Sequence, residues 1–127
     1  RQNVILKIPA SLAPVKASVF PLMKDEKFEK LAKDIVEDLR RDWNIAYDNS
    51  GSIGRRYARN DEIGTLMCIT IDEDTPKDKS VTIRDRDTTK QVRVKISELH
   101  EAVRKVVQDG ESVLKLGKIV ETRVKEE

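Results

Sequence analysis

The sequence predicts an α/β domain, a mixed sheet of about five strands flanked by three helices. Three observations carry that expectation. Apolar residues recur at three-and-four spacing from Phe28 to Leu39 and again from Leu99 to Val107, the period of a helix with one buried stripe. Leu66 to Ile71 is an uninterrupted apolar run, as in a strand covered on both faces. Ser80 to Arg86 and Gln91 to Ile96 alternate apolar with polar residues around a polar link at 87–90, the pattern of a hairpin.

The elements follow in order. Val4 to Ile8 is closed by Pro9 and followed by Pro14, so residues 1–14 read as an extended lead-in. Arg1 in place of Met suggests a piece of a longer polypeptide whose upstream domain this lead-in meets. Residues 15–21 bring β-branched and aromatic side chains up to Pro21, and proline ends a ladder, so this is the first strand. Phe28, Leu31, Ala32, Ile35, Val36 and Leu39 form the stripe of the first helix. Ile45 to Asp48 make a second strand that opens into the turn cluster Asn49-Ser50-Gly51. Ser52 then caps a helix running to Ile63 and closed by Gly64, which leads into the Leu66 to Ile71 strand. After the hairpin, Ser97 is placed to cap a last helix ending at Gly110, with Leu99, Ala102, Val103, Val106 and Val107 on one face. The domain is thus expected over 15–110. Residues 111–127 read as a tail whose Val113, Leu114, Leu116, Ile119 and Val120 can dock, and whose last residues fray.

Composition narrows function. At 127 residues the chain holds one domain. Its 25 Lys plus Arg against 23 Asp plus Glu leave a formal charge of +2, so any attraction to phosphate must come from local placement. One cysteine and one histidine cannot form an internal disulfide or a Cys/His zinc site, and a reducing, cytoplasmic setting fits. No apolar run approaches the roughly 18 residues of a membrane span. Cys68 lies inside the third strand and His100 on the last helix, with no nucleophile motif beside either, so both read as structural.

In such a sheet ligands gather beyond the carboxyl ends of the strands, here the loops at 48–52 and 71–79. Asn49 to Gly64 couples a Gly/Ser turn to a helix start bearing Arg55, Arg56 and Arg59. Free N–H groups there attract anions, but the spacing is neither a P-loop nor a dinucleotide fingerprint. The bland alternative pairs these arginines with Asp61 and Glu62 on a solvated face. Asp72, Glu73 and Asp74 lack the spacing of a calcium loop. With Arg84 and Arg86 on the strand that follows, they are expected to bring donors and acceptors to one sheet end. Such a set matches a base edge, carboxylate to an exocyclic amine and arginine to ring nitrogen and carbonyl. A ladder of cross-strand ion pairs is the equal alternative.

Four blocks take the reading further: Leu12 to Leu22 (LAPVKASVFPL), Ser50 to Gly64 (SGSIGRRYARNDEIG), Thr70 to Thr75 (TIDEDT) and Val81 to Thr88 (VTIRDRDT). Together they resemble the C-terminal anticodon-binding domain of the dimeric, archaeal and eukaryotic type of glycyl-tRNA synthetase, a class II enzyme, in unbroken order over about residues 12–99. The resemblance implies a five-stranded mixed sheet with three helices, appended to a catalytic domain that joins glycine to tRNA using ATP and Mg. It implies tRNA as partner, a homodimeric parent and no catalytic site or cofactor in this piece. By the same resemblance Arg84, Glu73, Asp72, Ser50, Arg55 and Arg86 are the anticodon-facing residues, with the cytosines of a glycine anticodon as the bases concerned. Relatives often carry an aromatic residue where this chain has Glu73. Related domains serve the histidyl, prolyl and threonyl enzymes and the accessory subunit of mitochondrial DNA polymerase, so an accessory or free-standing nucleic-acid-binding protein is the alternative.

Overall fold

The computed structural model describes residues 12–120; the lead-in apolar stretch Val4 to Ile8 and the expected fraying end lie outside them. The order is β1 (Ala17–Pro21), α1 (Glu26–Leu39), β2 (Ile45–Tyr47), α2 (Ile53–Ile63), β3 (Met67–Ile71), α3 (Thr75–Asp78), β4 (Ser80–Asp85), β5 (Gln91–Lys95), α4 (Ile96–Asp109), a single 3-10 turn at Val113–Lys115, and β6 (Lys118–Val120). The strands form one sheet in the order β2-β1-β3-β4-β5-β6. The β2, β1 and β3 half is parallel, and the β3 to β6 half is antiparallel.

Each strand alternates its side chains between two faces. Val19, Ile69, Ile71, Val81, Ile83, Val92 and Val94 join the stripes of α1 (Ala32, Ile35, Val36, Leu39) and α4 (Leu99, Ala102, Val103, Val106) in the main core. The residues between them turn to the other face, where Phe20 and Cys68 pack against Ile53 and Tyr57 of α2. α1 and α2 on opposite faces is what successive right-handed crossovers on either side of β1 produce, and α4, which links the antiparallel β5 and β6, packs on the α1 face.

Local chemistry sets the helix ends. Asp25 caps α1 by accepting from the Lys27 amide. Ser52 caps α2 by accepting from the Arg55 amide, and Gly64 ends it in the left-handed region at φ 76°, a conformation glycine adopts without a Cβ clash. The start of α4 differs from expectation: its N-cap is Lys95, with no side-chain cap, so Ser97 already lies inside the helix. The Ile96 amide instead donates to the Lys79 carbonyl at 2.8 Å, and this tertiary bond does the work expected of Ser97.

The sheet has six strands, not five. The additional one, β6, comes from the segment expected to be a tail, and Lys118, Ile119 and Val120 pair with Arg93, Val92 and Gln91. Gly117 makes that approach possible, since a Cβ there would sit 2.2 Å from the Arg93 carbonyl oxygen. A fourth helix, α3, occupies the turn expected to be an open loop. Pro76 stands in its first turn, and the Thr75 hydroxyl accepts from the Asp72 amide at 3.0 Å.

α1 and α4 are also stapled outside the core. His100 Nδ1 lies 3.0 Å from Asp38 Oδ2 and Nε2 lies 2.6 Å from Asp42 Oδ2. The ring leans on Trp43, centroids 4.9 Å apart. With a carboxylate at each nitrogen, both must donate, which only the imidazolium can do. These bonds raise the His100 pKa above its ordinary value, with desolvation opposing them.

Two outcomes are expected. Gly117→Ala should displace β6 from β5 and destabilise the fold by about 1 to 3 kcal/mol, read from the urea midpoint of unfolding. A histidine whose pKa is raised on folding contributes stability that is complete below its unfolded value of about 6.5 and lost as pH rises through the folded value. The melting temperature of the wild-type chain should therefore fall toward that of His100→Gln between neutral and mildly alkaline pH, and a constant gap would refute the imidazolium staple.

Candidate nucleic-acid interface

Because β1, β2 and β3 are parallel, their carboxyl ends share one end of the sheet. The Asp48–Ser52 loop and the turn through α3 flank β1 there, about 10 Å apart at two strand spacings. The exposed side chains at this end include Lys24, Arg55, Glu73, Lys77, Lys79 and Lys95. Asp25, Glu26 and Asp78 are exposed there as well, so this end carries both signs of charge.

The three arginines of α2 do three different things. Arg56 is 3% exposed. Its Nη1 donates to the Pro21 carbonyl at 2.7 Å and the Asp48 carbonyl at 3.3 Å, tying together the ends of β1 and β2, and its guanidinium lies 5.5 Å from the Phe20 ring centre. Arg59 reaches back along α2 to Asp48 Oδ2 at 2.7 Å and to the Ser50 carbonyl at 2.9 Å. Arg55 remains exposed at the start of the helix. The first turn of α2 carries no acidic residue, so the partial positive charge of that end adds to the charge of Arg55. Neither Asp61 nor Glu62 makes the surface pairs expected with these arginines.

The expected union of Asp72, Glu73 and Asp74 with Arg84 and Arg86 does not form. Antiparallel pairing sets Arg84 opposite Cys68, four residues before Asp72 and so about 13 Å down the strand, with Arg86 farther still. Arg84 is 1% exposed and lies beneath α2, its Nη1 3.2 Å from Asp61 Oδ1 and its guanidinium 4.5 Å from the Tyr57 ring centre. A base cannot reach it. Where a cross-strand ladder would pair Arg84 within the hairpin, it bonds Asp61 of α2 instead. Burial raises the Asp61 pKa even though Arg84 and Arg86 oppose the shift. Arg86 is 7% exposed; it pairs with Asp87 at 3.0 Å and reaches the Gly64 carbonyl at 3.5 Å.

Asp72 has a partner that sequence reasoning missed. Arg93 of β5 donates to both Asp72 oxygens and, at 2.9 Å, to Ser80 Oγ, with Asp74 3.9 Å away. The Asp72 carboxylate also accepts from the Asp74 amide at 3.1 Å. These contacts organise the turn and leave Glu73, next in sequence, projecting into solvent. The signal was present in the hairpin, since pairing outward from the 87–90 link places Arg93 opposite Thr82, near Ser80 and the sheet end. Of the six expected residues, then, Ser50, Arg55, Asp72 and Glu73 gather at one end, while Arg84 and Arg86 stand elsewhere as framework.

Residues 16–106 match the family described as anticodon binding domain. The chain belongs to that family. It is 51% identical over 98 residues to a glycine–tRNA ligase of Corynebacterium glutamicum, covering 77% of this chain and 21% of that protein. It is 48% identical over 106 residues to the glycine–tRNA ligase of Thermococcus sibiricus, covering 83% and 19%. The chain therefore spans about a fifth of the length of these relatives. Among solved structures it resembles a prolyl-tRNA synthetase of Cryptosporidium parvum complexed with halofuginone and AMPPNP, TM-score 0.76 at 20% identity over 82% of this chain and 23% of that one, a likeness of fold alone. It also resembles the RNA binding domain of a threonyl-tRNA synthetase of the same organism, TM-score 0.69 at 28% identity over 78% and 25%. No helix among the described residues is long and apolar enough to cross a membrane.

Arg84→Ala should destabilise the fold by about 3 to 5 kcal/mol, because it leaves Asp61 buried without the guanidinium that hydrogen-bonds it. Arg84→Met keeps side-chain volume but leaves Asp61 equally unpaired, so it should spare only the cavity part of that cost and leave RNA preference unchanged in the folded chain. Chemical denaturation measures the first effect. A folded Arg84→Met chain that loses RNA preference would contradict the framework role.

Proposed function

We propose that this chain is the anticodon-reading domain of a glycine–tRNA ligase and that its RNA-facing surface is the carboxyl end of the parallel strands. The observation that carries the reading is the gathering of Arg55, Glu73 and the Asp48–Ser52 loop at that end, in a chain about half identical to glycine–tRNA ligases. Cationic side chains at a helix start suit the phosphates of a folded-back loop, and an exposed carboxylate suits the exocyclic amine of an unstacked cytosine. Asp72, held by Arg93, shapes the turn that presents Glu73. With 4% aromatic residues, the domain reads bases by polar contact more than by stacking.

On this reading the chain performs no step of aminoacylation. ATP and Mg, the attachment of glycine and the homodimeric assembly belong to the rest of the parent polypeptide, which acts in the cytoplasm. The domain supplies orientation and choice: phosphate contacts set register, and base-edge contacts reject wrong anticodons.

The test uses the anticodon stem-loop of a glycine tRNA and the same hairpin with a substituted anticodon, titrated by fluorescence anisotropy. Glu73→Gln should shrink the preference between the two hairpins, because an amide cannot replace a carboxylate acceptor in strength. Arg55→Ala should weaken both about equally and lower the salt slope by about one. A wild-type chain without preference, or one that binds duplex DNA as tightly, would refute the reading.

A further inference from the structure

The Asp48–Ser52 loop is held by a side chain from outside it. The Asp48 amide donates to the Val19 carbonyl at 3.1 Å, extending the β1–β2 ladder by one bond. Beyond that point the chain leaves the sheet and folds on itself: Asp48 Oδ1 accepts from the Ser50 amide and hydroxyl, each at 3.0 Å. Arg59, seven residues after the Ser52 cap and so two turns into α2 on the same side, closes the assembly. Its Nη2 donates to Asp48 Oδ2 at 2.7 Å, the Ser50 carbonyl at 2.9 Å and Ser50 Oγ at 3.2 Å. Gly51 supplies the left-handed turn of the loop, a conformation that side chains rarely adopt. It adopts φ +75°, and a Cβ there would meet Arg59 Nη1 at 3.7 Å and Arg55 Cβ at 3.9 Å.

We propose that Arg59 is a positioning residue that sets the conformation in which the Asp48–Ser52 loop meets RNA, acting through Asp48 and Ser50 instead of touching the nucleic acid. The inference rests on the anticodon reading above and deepens it. One consequence concerns Ser50, which the sequence offered as a base contact. Its hydroxyl donates to Asp48 and accepts from Arg59, so its single donor is committed to the loop and only an acceptor lone pair is left to face a base. A second consequence is electrostatic. Burial opposes ionisation of Asp48, but Arg59 together with the Ser50 amide and hydroxyl holds its carboxyl below the usual range, so the clasp is closed at neutral pH and opens as pH falls through that lowered value.

Positioning and simple phosphate attraction differ in sign. If Arg59 served only as a charge near RNA, Arg59→Lys would keep affinity, and Asp48→Asn, which removes a negative charge, would tighten binding. If Arg59 positions the loop, lysine cannot reproduce a fork reaching several oxygens, and Asp48→Asn must weaken binding despite the favourable change in charge. The 127-residue chain is titrated with the glycine anticodon stem-loop and its anticodon-substituted counterpart. Arg59→Lys and Asp48→Asn should each lose about tenfold in affinity for the glycine hairpin, the double variant no more than either single, with the salt slope unchanged. Wild-type affinity in Arg59→Lys, tighter binding by Asp48→Asn, or single losses that multiply to about a hundredfold in the double variant would overturn the inference. A second arm needs no RNA: the backbone amide resonances of Asn49 to Ser52 should shift in both single variants while the core spectrum stays in place, and unmoved loop resonances would also overturn it. If the wild-type chain shows no preference between hairpins, the anticodon reading fails, while the resonance arm still decides whether Arg59 holds the loop.

Discussion

Arginine buried beneath α2 is the constraint on which the rest of the structure depends. An arginine cannot shed its charge, so burying one demands that acceptors be placed around it. Arg84 is met by Asp61 and the face of Tyr57, and Arg56 by two carbonyls at the strand ends. Against a well-packed apolar substitute such a pair contributes little net stability, yet breaking it is costly. What it supplies is geometry: α2 can lie on the sheet only where both guanidinium groups find their partners. The Tyr57 hydroxyl, 3.0 Å from Thr70 Oγ1, adds a third point of attachment.

From that docking the arrangement of the strand ends follows. Arg56 joins the end of β1 to the end of β2, so the loop leaving β2 starts from a fixed point. Arg59, one turn further along the same helix, clasps the loop through Asp48 and Ser50, and Arg55, one residue before Arg56, is exposed to solvent. Three arginines within five positions thus divide into a strand tie, a loop clasp and a free cation. The division follows from helical geometry, because residues 55, 56 and 59 point in directions set by about 100° per residue against a sheet on one side.

The antiparallel half of the sheet braces the other loop. β5 sets Arg93 opposite Thr82, which pairs with Thr70 of β3, and from there its long side chain reaches two residues on to Asp72, a bond that spans from the outer strands to the end of β3. Glu73 projects because its neighbour is held. β6 covers β5 on its far side, so the brace is an interior strand of the sheet and not an exposed edge.

The sequence by itself determined the periodic elements. α1, α2 and α4 are written in apolar stripes, the ends of α2 in Ser52 and Gly64, and the hairpin in its alternation, because each signal rests on neighbours within a turn or two of the chain. That the 48–52 and 71–79 loops share one end of the sheet was also legible, because parallel strands joined by crossovers bring their carboxyl ends together. Tertiary structure decided everything that depends on a distant partner. β6 is three residues long, too short for alternation to register, and exists because Gly117 lets it close on Arg93. The start of α4 is set by the Lys79 carbonyl and not by Ser97. The roles of the arginines were undecidable locally, since Arg55, Arg56, Arg59, Arg84 and Arg93 carry the same charge and differ only in what the fold sets opposite them, and an ion pair is chosen by proximity in space, which strand register and helix docking alone create.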